Sequence, residues 1–131
     1  MVLEHVALWT YKLDELKDFY VKYFDGKAGK KYNNVAKKFS SYFLEFESGA
    51  RLELMQMPKI PAHSYDIRKQ FTGLIHIAFG LNSQEEVTKL TERLQRDGFE
   101  VIEPLRVTGD GYFESVILDP DENRVELTYK L

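Results

Sequence analysis

His5, Glu53, His76 and Glu126 are the side chains of this 131-residue sequence whose types and spacing fit a single piece of chemistry. The histidines stand 71 positions apart and the glutamates 73, and each sits in a matching context. Glu4-His5-Val6-Ala7-Leu8 is echoed by Ile75-His76-Ile77-Ala78-Phe79, and Arg51-Leu52-Glu53-Leu54 by Arg124-Val125-Glu126-Leu127. Two imidazoles and two carboxylates can cage a divalent ion, and a nitrogen–oxygen set without sulfur suits Zn, Ni, Co, Mn or Fe(II) better than Cu(I). Four protein ligands that leave two positions for water keep such an ion open to a substrate. Taken singly, each residue has a plainer explanation. A lone strand histidine is ordinarily a satisfied core or rim residue, and Arg51–Glu53 and Arg124–Glu126 can be surface salt bridges. The combination, repeated in phase, is what points to one metal site. His63, in a proline-bearing stretch, has no such context and is read as a surface residue.

The elements that must position these four follow from periodicity. The run Gly73–Leu81 is apolar or small except for His76 and reads as a strand buried on at least one face. Leu3–Trp9 reads as its counterpart. Leu13, Leu16, Phe19, Tyr20, Tyr23 and Phe24 fall at helical spacing, with Asp14 and Glu15 in the first turn and Gly26 placed to end the helix. Three strands are expected next, at about 28–33, 40–47 and 50–57, the last two joined by a Ser48-Gly49 turn. Residues 58–72, with Pro58 and Pro61, read as a linker. The order then repeats. A capping box, Ser83-Gln84-Glu85-Glu86, starts a helix with Val87, Leu90 and Leu94 inward and Gly98 at its end. Strands follow at about 100–107, 112–118 and 124–130. The chain thus divides into module one (about 1–57), the linker 58–72 and module two (about 73–131), each a βαβββ unit within one domain of 131 residues. Strand alternation places each His or Glu on a front face, opposite an apolar back face suited to packing on the helices. Ala7 and Ala78 leave room beside the histidines.

Composition narrows the function classes. A hydrophobic content of 44%, with 14% aromatic residues, suffices for a core. The chain has no Cys, which removes disulfides, thiolate metal sites and cysteine nucleophiles together, and is compatible with a reducing, cytoplasmic setting. No apolar run is long enough to span a membrane, and the N-terminus lacks a secretory pattern. A net charge of −3 argues against nucleic acid as the main partner. Residues 1–40 are nonetheless lysine-rich, and Lys27, Lys30, Lys31, Lys37 and Lys38 are read first as a solvated hairpin. No nucleophile elbow or glycine-rich phosphate loop is present.

A duplicated βαβββ unit with His on strands one and five and Glu on strands four and eight resembles the vicinal oxygen chelate superfamily, and within it the small bacterial glyoxalase I type. Phe19-Tyr20 and Asp119-Pro120-Asp121 add to the resemblance, which covers nearly the whole chain. It implies an α+β fold whose two curled mixed sheets form a cup around one metal, held by His5, Glu53, His76 and Glu126, with one divalent metal per site. It also implies a homodimer in which the site is shared between chains, although closure within one chain remains open. Glu53 discriminates among members: fosfomycin-modifying transferases and extradiol dioxygenases typically lack an acid there, and methylmalonyl-CoA epimerases typically carry Gln.

By this resemblance the activity is a lyase/isomerase reaction on the hemithioacetal of a 2-oxoaldehyde and a thiol. Glu126, or alternatively Glu53, moves the carbon-bound proton. Two features depart from the glyoxalase I pattern. Trp9 stands where an arginine contacts glutathione, and Glu122 stands where Gly is usual. Trp9, Arg51 and Arg106 are therefore the candidate substrate contacts, with Arg106 or the lysines of 27–38 as sources of the missing charge. The rivals are another reaction of the scaffold, such as epimerisation or ring-cleaving oxygenation, and a small-molecule or antibiotic-binding protein whose cup is lined by Trp9, Tyr42, Tyr112 and Phe113.

Overall fold

The computed structural model describes residues 1–131 and begins with strand β1 (His5–Trp9) and helix α1 (Leu13–Phe24). Five of the six stripe residues, Leu13, Leu16, Phe19, Tyr20 and Tyr23, are buried along one side of α1. Four strands follow: β2 (Lys27–Ala28), β3 (Tyr32–Asn34), β4 (Phe39–Glu45) and β5 (Arg51–Gln56). They form one mixed sheet in the order β1-β5-β4-β2, with β3 also on β4. Only the β1–β5 pair is parallel. This is the first of two compact units, Met1–His63. Leu44, Leu52 and Leu54 are buried on the sheet's back face. Each such side chain contributes about 1.5–3 kcal/mol on leaving water.

The second unit, Ser64–Leu131, repeats the order with β6 (Ile77–Gly80), α2 (Gln84–Arg96), β7 (Val101–Val107), β8 (Tyr112–Leu118) and β9 (Arg124–Lys130). Its sheet runs β6-β9-β8-β7, with β6–β9 parallel and the rest antiparallel. Ser83 caps α2 by accepting the Glu86 N–H at 3.1 Å, and the Glu86 carboxylate accepts the Asn82 N–H at 3.0 Å. Val87 and Leu94 of α2 are buried, as are Ile117, Val125 and Leu127 of the sheet. Thr91 bonds Ser115 at 2.7 Å from helix to sheet. The fold class is α+β, as the repeat predicts.

The structure corrects three expectations. The strand expected at 28–33 is two short pieces: Gly29 keeps one bond to Phe43 O at 2.9 Å, and the chain leaves the ladder at Lys30-Lys31 before β3. The strand expected over Gly73–Leu81 starts only at Ile77. Its partner register is Ile77 with Val125, and upstream of Arg124 the partner chain is already turning, so nothing remains to pair with Leu74 or Ile75. Gly26 does not supply the left-handed residue after α1; Asp25 does, at φ 54°. Gly26 is instead needed for space, since a Cβ there would stand 3.1 Å from Phe46 and from Tyr20 O. Residues 58–63 belong to the first compact unit and 64–72 to the second. Pro104 is accommodated because β7 is an edge strand whose register shifts on either side of it.

The turn before β9 carries a testable cost. Asp119 Oδ1 accepts N–H bonds from Asp121 and Asn123 at 2.9 Å each, which forces Glu122 into the left-handed region at φ 63°. A left-handed non-glycine residue costs ~1–2 kcal/mol, partly offset by the greater chain entropy that glycine brings to the unfolded state. Glu122→Gly is expected to stabilise the protein by roughly 0.5–1 kcal/mol, read as a higher urea midpoint; a lower midpoint would show that the Glu122 side chain matters more than its backbone.

Candidate metal centre

In the first unit the parallel register sets Ala7 directly opposite Glu53. Alternation then brings His5, two residues earlier, to the same face, with Nε2 3.6 Å from Glu53 Oε2. The other ring nitrogen, Nδ1, is bonded to the Glu4 carboxylate, which also accepts from Arg51 Nε at 2.7 Å and from Arg51 Nη2. Those bonds, His5's first and Arg51's second, hold the Glu4 carboxyl below its ordinary range. The Arg51 guanidinium lies over the Phe43 ring at 4.2 Å, and Phe43 meets the His5 ring edge-on at 5.5 Å.

The second unit repeats the central geometry. Ala78 is opposite Glu126, and His76 Nε2 stands 3.4 Å from Glu126 Oε2. Side-chain exposures match as well, at 40% and 15% for His5 and Glu53 against 38% and 13% for His76 and Glu126. The surroundings differ. Burial, reinforced by the carboxylates of Glu114 and Glu103, raises the Glu126 carboxyl above its ordinary range, while His76 and Arg106 pull the other way. Arg106 bonds Glu114 at 2.8 Å and also pairs with Glu103. Arg124, on the same face as Glu126, reaches Glu103 at 3.1 Å and the carbonyls of Ile67 and Lys69 at 3.0 and 3.3 Å.

Two plain readings of the sequence are thereby decided. Arg51 and Arg124 do not serve as the i, i+2 partners of Glu53 and Glu126: one turns to Glu4 and the other to Glu103. Each glutamate instead faces its own unit's histidine. Ligand bonds of ~2.1 Å set neighbouring donor atoms about 3.0 Å apart around a six-coordinate ion. The two His–Glu pairs, at 3.6 and 3.4 Å, lie within a small side-chain adjustment of that spacing, and the imidazole–carboxylate chemistry suits a borderline or hard divalent ion. No group of three or more His, Cys, Asp or Glu that could hold a metal stands together in the chain, and each unit brings one His–Glu pair together.

The candidate substrate contacts fare unequally. Trp9 is 41% exposed on the front face of unit one, edge-on to Phe39 at 6.0 Å, and Phe39 lies 6.1 Å from Tyr32. Arg51 and Arg106 are committed to carboxylates of their own units. Lys31 is engaged with Asp14 at 3.2 Å. Tyr42 and Phe113 are not on the front faces. Tyr42 opposes Leu54 and bonds Asp14 of α1 at 2.9 Å, and Phe113 opposes Tyr129 on the side from which Ser115 reaches α2. Sequence reasoning missed Glu4, Phe43, Glu103 and Glu114. The available signals were an acid next to His5 and two acids on neighbouring strands of module two.

Comparison with known proteins extends this description. A sequence model described as the Glyoxalase/Bleomycin resistance protein/Dioxygenase superfamily matches residues 2–127. An uncharacterized Bacillus subtilis protein, YqjT, is 27% identical over 128 residues, 95% of this chain and 96% of that one. The crystal structure of a glyoxylase/bleomycin resistance protein/dioxygenase domain from Frankia sp. EAN1pec superposes with a TM-score of 0.80 at 21% identity, covering 100% of this chain and 98% of that one. A glyoxalase I mutant from Zea mays superposes with a TM-score of 0.76 at 25% identity over 97% of this chain and 44% of that one.

Proposed function

The chain belongs to the Glyoxalase/Bleomycin resistance protein/Dioxygenase superfamily, and from that membership we propose that it is a metal-dependent lyase/isomerase of the glyoxalase I type. The observation that carries this reading is the repeated His–Glu half-site, set in the same register in both units. His5, Glu53, His76 and Glu126 are the proposed ligands of one divalent ion, Ni, Zn, Co, Mn or Fe. A homodimer is the proposed assembly. The bound ion supplies Lewis-acid polarisation of adjacent substrate oxygens.

The substrate class is the hemithioacetal of a 2-oxoaldehyde and a thiol. Glu126 takes the proton from the carbon that carries the sulfur and the electron pair of that C–H bond moves toward the neighbouring carbonyl; the proton is then returned to the neighbouring carbon while the hydroxyl proton of the sulfur-bearing carbon passes to the neighbouring oxygen, which leaves a thioester beside an alcohol. The reaction is an internal redox exchange that needs no outside oxidant. Glu126, whose carboxyl burial raises above its ordinary range in the metal-free chain, is the proposed base. Glu53 is the alternative base.

The thiol is expected to be less anionic than glutathione. An indole has one N–H donor and no charge, so Trp9 cannot grip a carboxylate as a guanidinium does. Arg51 and Arg106 already neutralise carboxylates of their own. Metal analysis of the purified protein, then assays with methylglyoxal and thiols of different charge, test the whole reading. Isomerisation with a neutral or aromatic thiol and weak turnover with glutathione are the expected results. A kcat/KM of ~10⁴ M⁻¹s⁻¹ or more with glutathione would overturn the assignment of Trp9, and protein without stoichiometric divalent metal or activity would overturn the enzyme.

A further inference from the structure

We propose that Glu4 is the positioning residue of the first half-site: its carboxylate, accepting from His5 Nδ1, fixes the ring so that Nε2 is the nitrogen available to a divalent ion. The proposal rests on the reading of His5 as a ligand. A neutral imidazole has one N–H and one lone pair, and an ionised carboxylate only accepts. The nitrogen bonded to Glu4 is Nδ1, so Nδ1 carries the proton. Nε2, 3.6 Å from Glu53 Oε2, is left with its lone pair on the front face. Histidine ligands are commonly oriented in this way, the second ring nitrogen donating to a carboxylate.

Glu4 is itself held. Arg51 bonds its carboxylate at 2.7 Å through Nε, and the Arg51 backbone N–H bonds Glu4 O at 2.9 Å. Arg51 lies on Phe43, and Phe43 abuts His5. Glu4, Arg51 and Phe43 therefore close a ring of contacts around the imidazole. Nothing equivalent is built at His76. The residue before it is Ile75, the counterpart of Phe43 opposite Glu126 is Val116, and the counterpart arginine, Arg124, is occupied by Glu103, Ile67 and Lys69. The two half-sites share a pair of donors, yet only the first carries a carboxylate that selects the tautomer.

The test uses the full chain and two readouts. Long-range ¹⁵N–¹H NMR of the metal-free protein reports the His5 tautomer, and competition with a chromogenic chelator reports Zn²⁺ affinity. Glu4→Ala is expected to move His5 toward the Nε2–H form and to weaken Zn²⁺ binding by ~10–100-fold, with an unchanged thermal midpoint. Glu4→Asp should recover part of both effects. Retention of the Nδ1–H tautomer in Glu4→Ala would overturn the proposal, and so would a shifted tautomer with Zn²⁺ affinity unchanged within about twofold. A wild-type protein that binds no Zn²⁺ while its His5 tautomer follows Glu4 would overturn the metal reading and leave the hold of Glu4 on the ring supported.

Discussion

His76→Ala is expected to strip divalent metal from the protein, whereas His63→Ala should leave the metal content unchanged. Both substitutions remove an imidazole that stands exposed in this chain, so a general loss of histidine would affect them alike. They differ in what the ring faces. His76 Nε2 is 3.4 Å from the Glu126 carboxylate in a register that the first unit repeats, whereas His63 lies outside every strand and has no counterpart in the repeat. Loss of an outer partner costs ~10–100-fold in affinity, and loss of a ligand itself should exceed that. Elemental analysis after gel filtration, with chelator competition for the residual affinity, decides the matter. Equal metal retention in the two variants would remove His76 from the site.

Arg124→Ala is expected to destabilise the fold by about 1–3 kcal/mol, a sizeable share of the ~5–15 kcal/mol that holds a domain together. The Arg124 side chain is 4% exposed and serves Glu103 together with two carbonyls of the segment before β6. Its removal leaves half-buried Glu103 with Arg106 alone and takes the donor from the carbonyls of Ile67 and Lys69, so part of their desolvation cost is no longer offset. Arg51 occupies the same place in the repeat and is 35% exposed, with a half-exposed partner in Glu4. Exposed pairs contribute ~0–1 kcal/mol, so Arg51→Ala should cost little stability. Urea unfolding of the two variants side by side checks the contrast. Similar midpoints would mean that the solvent reaches Arg124 more than its burial shows.

Much of the site was legible without coordinates because its information is local and periodic. Alternation along single strands put His5 with Ala7 and Glu53 with Arg51 on front faces, and the closely similar spacings of the repeat, 71 for the histidines and 73 for the glutamates, tied those faces to His76 and Glu126. Helix α2 was equally plain, since its cap, stripe and terminal glycine lie within one short segment. Where local signals competed with pairing, the reading slipped. Gly73–Leu81 is apolar enough to be a strand, yet a strand exists only as far as its neighbour extends, and that neighbour begins at Arg124. Tyr42 and Phe113 looked like lining for a binding face until the β4–β5 and β8–β9 registers turned them toward the helices.

The sequence by itself therefore determined the duplicated module and the α+β class and singled out the four candidate donors, because residue type and period are properties of the chain alone. Only the tertiary structure decided which groups those donors meet. It set Ala7 against Glu53 and Ala78 against Glu126, gave His5 a carboxylate at Nδ1, and sent two arginines from near-identical tetrapeptides to different partners, one half-exposed and one buried. The physical reason is that register and burial arise between segments distant in sequence, so the same four residues, Arg-Leu-Glu-Leu or Arg-Val-Glu-Leu, acquire different energies from what the rest of the fold places beside them.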